Sequence, residues 1–310
     1  MSTLYVLGNG FDIAHKLATK YEDFYNFLLS HDDTEKFVYD LMGAYGADES
    51  EWWNEFEENL GNGAWFEFEF ENMAQSVIDN MVTDDGEMMP DIEFTLEEHW
   101  KSYYNFMEKL NGYVYRWIFE TIDVTKLQPL AGSLIESQEY FINFNYTDVL
   151  EKVYQIDEWN ILHIHGCCED KNMIMGHGNA EAIRLYEELS EEAAESFDKN
   201  EETVKDAICR FYKATFKDTH AIIGDNEFFF QKLHSVDKVK IYGHSLGKVD
   251  MPYFERIKSA IAPDAEWYFY VYNQPDENLN DKKREIRKDI KGLHINSKHI
   301  HLLSYKKFFK

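Results

Sequence analysis

Six short apolar runs, each bounded by turn formers, punctuate the chain: LYVLG (residues 4–8), EYFINFNY (139–146), ILHIHG (161–166), KVKIYGHS (238–245), EWYFYVYN (266–273) and HIHLLSY (299–305). They are rich in β-branched and aromatic residues and predict strands. Most lack a clean alternation of apolar and polar positions, the pattern of strands buried on both faces of a parallel sheet. Helical periodicity fills several of the intervals. The expected fold class is therefore α/β: a Rossmann-like, mostly parallel sheet flanked by helices.

The stretch from about 21 to 126 breaks this rhythm. It is acidic and aromatic, with apolar residues at helical spacing: Trp52, Trp53, Phe56 and Leu60, then residues 66–81 and 100–122. Its one proline, Pro90, lies in the polar segment VTDDGEMMPD. This pattern predicts a large helical insertion whose aromatic stripe is core. A second acidic helical block, 181–216, holds no proline or glycine, and its charge run reads as a solvated face. There is no repeat and no low-complexity linker. The expected organisation is one domain over 1–310, with helical insertions at about 21–126 and 180–218.

Composition narrows the function classes. With 310 residues, 44% of them hydrophobic, the chain can build a large core. Cys167 and Cys168 are adjacent and one further cysteine remains, which excludes a disulfide framework and a four-cysteine zinc site. The thiols fit a reducing, cytoplasmic setting. No apolar run reaches about 18 residues, so no membrane span is expected, and the first residues lack a secretory pattern. A formal charge of -27 repels polyanions, so direct nucleic-acid binding is not expected. A small phosphorylated ligand held by backbone amides is still compatible with it.

Four motifs carry candidate chemistry. Gly8-Asn9-Gly10-Phe11-Asp12 sits between a strand and a helix, the context of a nucleotide turn, although Ile13 replaces the third glycine. The competing reading is a tight turn with Asp12 as helix N-cap or first-turn acid. In FNYTDVLE, Asn145 stands at the carboxyl end of a strand, where open α/β sheets bind ligands. It is equally readable as a turn asparagine, with Thr147 or Asp148 capping the next helix and Glu151 in its first turn. In ILHIHG, His163 and His165 share one face of a strand, and Gly166 ends it. His165 at the rim suits a base, whereas His163 suits a hydrogen-bonded core. IMGHGN adds His177. Zinc on His163, His165 and His177 would need His177 to fold back onto that face; nothing in the sequence requires it, and no metal is expected. Finally, Gly243-His244-Ser245-Leu246-Gly247 fits the nucleophile elbow of a serine hydrolase. The flanks oppose that reading, because Asp250 and Pro252 place the helix start after the serine.

Taken in order, LGNGFDIAHKLATKYEDF, WWNEFEENL, INFNYTDVLE, LHIHG, MGHGN and YGHSLGKVDMPYF resemble the AbiH family of phage abortive-infection proteins, with motifs from Gly8 to Phe254. That family is in turn similar to the sirtuin-like group, which has a Rossmann-type sheet, binds NAD and includes NAD-cleaving enzymes of phage defence. The resemblance implies catalytic roles for Asn145 and His165. It implies ligand contacts by Gly8, Asn9, Gly10, Gly243 and Ser245. Asp12, His15, Tyr146, Asp148, Gly166 and His177, in the same motifs, join that ligand-binding set. It further implies NAD as substrate or ligand with no other cofactor, and a homo-oligomer or a phage-derived trigger as partner. The chain departs from true sirtuins in lacking a paired C-x-x-C zinc module and in carrying Phe11-Asp12 within the turn. Two other functions stay open: a nucleotide-sensing module without turnover, and a serine hydrolase using Ser245.

Overall fold

The computed structural model describes residues 2–31, 34, 38, 55–81, 92–130, 139–169, 171, 173–275 and 277–309. Trp52, Trp53 and Pro90 lie outside the described residues. The six apolar runs form six strands: β1 (Ser2–Leu7), β2 (Tyr140–Asn143), β3 (Ile161–His163), β4 (Val236–Tyr242), β5 (Glu266–Val271) and β6 (Ile300–Ser304). They make one sheet in the order β3-β2-β1-β4-β5-β6, and every pairing is parallel. The chain winds outward from β1 to β3, then returns to the other side of β1. The order therefore reverses between β1 and β4, the place where doubly wound sheets bind ligands.

The strand sequences account for burial on both faces. Leu4 and Val6 of β1 point into one core, with Ile142, Ile241, Phe269 and the helical residues Phe230, Tyr253 and Phe254. Tyr5 and Leu7 point into the opposite core, with Phe141, Tyr242, Phe11, Leu150 and Phe308. Period-two geometry sends alternate residues to opposite faces, so β1, covered on both sides, is apolar at every position from Leu4 to Leu7. Tyr5 stacks on Phe141 with ring centroids 5.1 Å apart, and the register pairs the same two residues.

The chain divides into two compact units. One comprises 1–20, 115–174 and 218–310 and holds the sheet; the other comprises 21–114 and 175–217. In the second unit the acidic block forms two helices, Ala180–Glu195 and Lys199–Ala214. Asn179 caps the first through Ala182 N at 3.0 Å, and Asp198 caps the second through Glu201 N at 3.1 Å. Their buried stripes include Tyr186, Ala193, Phe211 and Tyr212, with the acidic residues facing mostly outward. Lys217 is fully buried in this unit, with Nζ 3.0 Å from the Glu57 carboxylate. Among the described residues no helix is long and apolar enough to cross a membrane.

Candidate functional site

The loops after β1, β2, β3 and β4 share the carboxyl edge of the sheet. Ladder bonds continue past the strand ends: Gly8 N donates to Tyr242 O, Phe144 N to Leu7 O and Ile164 N to Asn143 O, at 2.9–3.0 Å. The turns after β1 and β4 touch through backbone. A Cβ on Gly10 would sit 2.5 Å from Gly243 Cα, and one on Gly8 would sit 2.6 Å from Gly243 O. Gly243 itself has φ +70, a left-handed conformation suited to glycine. Gly10 N donates to Gly243 O at 2.9 Å and Phe11 N to Gly8 O at 2.9 Å. These amides are therefore committed within the protein. Asn9 is tied to Thr19 by two side-chain bonds, 2.7 Å to its carbonyl and 2.6 Å from its hydroxyl.

Asp12 follows in the first turn of the helix Gly10–Ala14. Its side chain does not cap that helix. Instead, Oδ2 accepts from Thr147 Oγ1 at 2.8 Å, and Oδ1 is buried with no hydrogen-bond partner among the described residues. Burial pushes its carboxyl up to about 7, although Thr147 opposes the shift. His15 donates through Nδ1 to Phe11 O at 2.8 Å and accepts at Nε2 from Tyr154 OH at 2.9 Å. Both its ring nitrogens serve the core, and burial lowers its pKa.

Asn143, the last residue of β2, organises the next loop. Its Oδ1 accepts from Asn145 N at 3.2 Å and from Asn145 Nδ2 at 2.9 Å. Tyr146 OH donates to Ile174 O at 3.0 Å. Asp148 occupies the N-cap position of the helix Val149–Lys152 without a side-chain cap bond, and burial raises its pKa. Strand β3 ends at His163, earlier than its apolar run suggests. The left-handed Gly166 (φ +79) turns the chain, and its amide donates back to His163 O at 3.1 Å. His163 and His165 consequently have separate partners. His163 Nε2 lies 2.6 Å from Glu151 Oε1. Burial disfavours its charged form, but the hydrogen bonds to Cys167 and to the Glu151 carboxylate outweigh that and raise its pKa.

His165, in turn, is buried with Nε2 3.4 Å from Asp250 Oδ1. The other oxygen of Asp250 lies 3.5 Å from His244 Nε2, and His244 Nδ1 accepts from Leu246 N at 2.9 Å. Phe144 meets both imidazoles edge-on, with centroids 5.1 Å from His165 and 4.2 Å from His244. Asp250 holds the N-cap position of the helix Met251–Ala260, yet its carboxylate makes no cap bond. Sequence reasoning read it only as a cap and gave His244 no role beyond its place in the loop. Nothing local marks either residue, since their meeting with His165 depends on the sheet order.

Ser245 is exposed, and the helix begins only at Met251, with Pro252 in its first turn. A cavity of about 420 Å³ opens beside the loops after β2 and β3, lined by residues including Tyr115, Phe119, Thr147, Asp148, Cys168 and Glu169; Asn145, His165 and Ser245 do not line it. His177 belongs to the helical unit. It donates through Nε2 to Tyr212 O at 3.0 Å and accepts at Nδ1 from Asn179 N at 3.0 Å, and burial lowers its pKa to about 4. Among the described residues no group of three or more His, Cys, Asp or Glu side chains is arranged to hold a metal ion.

Six parallel strands in this order, with glycine turns and polar loops gathered where the order reverses, define a Rossmann-like α/β protein. The chain belongs to the AbiH family: the family model described as bacteriophage abortive infection AbiH matches residues 4–271. That membership supports a role in phage abortive infection. No curated protein and no solved structure matches the chain.

Proposed function

We propose that the carboxyl edge of the sheet binds NAD or a related nucleotide and that the protein hydrolyses its nicotinamide–ribose bond as an abortive-infection effector. The observation that carries this reading is His165: a buried imidazole at the switch-point edge, oriented by Asp250 at 3.4 Å and placed one loop away from Asn145. Nicotinamide leaves as a neutral molecule, so the step needs no acid on the leaving group. It needs the ribose held, the oxocarbenium-like cation stabilised and a water placed. Asn145, fixed through its Nδ2 on Asn143, offers its side-chain carbonyl to a ribose hydroxyl or to that water. His165 accepts the proton as the water oxygen bonds to the ribose carbon, and Asp250 stabilises the resulting imidazolium. Asp12 contributes negative potential when ionised. Gly8, Gly10 and Gly243 form the floor, where the lack of Cβ atoms lets the two turns meet.

Purified protein incubated with NAD releases nicotinamide, and Asn145→Ala or His165→Ala abolishes release while leaving the circular dichroism spectrum unchanged. No release under any condition, phage components included, refutes the enzymatic reading. One observation favours a binding module without turnover: the amides of Gly8, Gly10 and Phe11 are already paired and do not form an open phosphate cradle. That reading predicts saturable nucleotide binding with no product.

A further inference from the structure

Cys167 and Cys168 follow directly on the Gly166 turn, and neither takes part in the proposed hydrolysis. Their sulfurs stand 4.0 Å apart. Cys167 is buried, whereas Cys168 is partly accessible and lines the cavity of about 420 Å³. The backbone is fixed here, with Cys168 N donating to Tyr146 O at 2.9 Å. The sulfur–sulfur contact makes the pair unequal. The contact lowers the pKa of Cys168, and together with burial it raises that of Cys167 against the opposing effect of His163. Cys168 is thus the sulfur that a molecule in the cavity meets first, with the Cys167 sulfur directly behind it. This is the arrangement of an attacking and a resolving cysteine.

We propose that Cys167–Cys168 is a peroxide-oxidisable dithiol site, in which a hydroperoxide entering the cavity oxidises Cys168 and Cys167 closes a vicinal disulfide. In the first step the Cys168 thiolate attacks a peroxide oxygen. The S–O bond forms as the O–O bond breaks, and the hydroxide released takes up a proton to become water. In the second step the Cys167 sulfur attacks the sulfenic sulfur. The S–S bond forms, the S–O bond breaks, and the Cys167 proton leaves with that oxygen as a second water. Two thiols are oxidised and one peroxide is reduced. Neighbouring Cα atoms are only about 3.8 Å apart, closer than most disulfides span, so the product is strained and readily reduced.

The site does not depend on the reading of Asn145 and His165, and its test needs no nucleotide. The full-length protein is treated with hydrogen peroxide, blocked with maleimide and digested, and the peptide holding both cysteines is weighed. The expected peptide lacks two hydrogens, carries no maleimide and regains both thiols with dithiothreitol. In Cys167→Ser the sulfenic acid persists and dimedone labels Cys168. Maleimide on both cysteines after peroxide treatment overturns the proposal. So does a bond to Cys209 or to a second chain, or dimedone on Cys167 in a Cys168→Ser protein. The measurement on the unaltered protein stands whether or not the variants fold.

Discussion

Asp12 is a carboxyl that the fold keeps dry, and its ionisation works against stability. In the unfolded chain it titrates near its ordinary 3.8, and in the folded protein near about 7. A carboxyl whose folded pKa lies above its unfolded value contributes stability that is fully present below 3.8 and lost as pH rises through about 7. At about 1.4 kcal/mol per pH unit, the gap corresponds to about 4 kcal/mol. Asp12→Asn keeps the shape and an oxygen for the Thr147 hydroxyl but cannot ionise. Urea and thermal unfolding of both proteins, followed from pH 4 to pH 8, should show little difference at the acid end. At the alkaline end Asp12→Asn should be the more stable by up to about 4 kcal/mol. Comparing the two proteins at each pH cancels the titration of groups that do not interact with Asp12; His163 and Asp148 are coupled to it. Parallel pH profiles would refute the argument, because they would mean that the carboxyl is hydrated in the folded state. The same pair of proteins, assayed for nicotinamide release, tests the electrostatic role proposed for Asp12: lost activity in Asp12→Asn supports it, and unchanged activity leaves the residue a structural link to Thr147.

The glycine turns give a paired test. Gly10→Ala drives a methyl to 2.5 Å from Gly243 Cα and should cost about 3 kcal/mol or prevent folding, whereas Gly112→Ala, on an exposed helical site with nothing within 4 Å, should gain up to about 1 kcal/mol; unfolding midpoints read both. His177 is held neutral by burial, with a pKa lowered to about 4, so its contribution is present above its ordinary 6.5 and fades as pH falls toward 4, by up to about 3 kcal/mol. Stability profiles of the unaltered protein and His177→Gln should diverge only in that acid window. Lys217→Met strands the Glu57 carboxylate that the buried ammonium holds at 3.0 Å and should cost about 3–5 kcal/mol. Adding Glu57→Gln should recover part of that loss in a double-mutant cycle.

The six strands were legible in the sequence, because burial of a strand on both faces requires apolar residues at nearly every position, and such runs are local. The α/β class followed from the helical periodicity between them. The glycine turn and the Gly166 turn were legible for a similar reason: a close backbone approach and a left-handed conformation demand glycine in place. The division of the acidic block was less so. Its two helices separate at Phe197, which adopts φ +62 without a glycine or proline to announce the break; Asp198, as N-cap of the second helix, is the only local sign.

Side-chain partnerships were decided by the tertiary structure alone. Asp12 has a helix-capping sequence context, but the sheet places Thr147, 135 residues away, against its carboxylate. Asp250 also sits where a cap belongs, yet the reversal of strand order between β1 and β4 sets it between His165 and His244. Local periodicity records which residues leave water. It does not record which strand lies beside which, and that ordering determines where a buried carboxylate finds its hydrogen bonds.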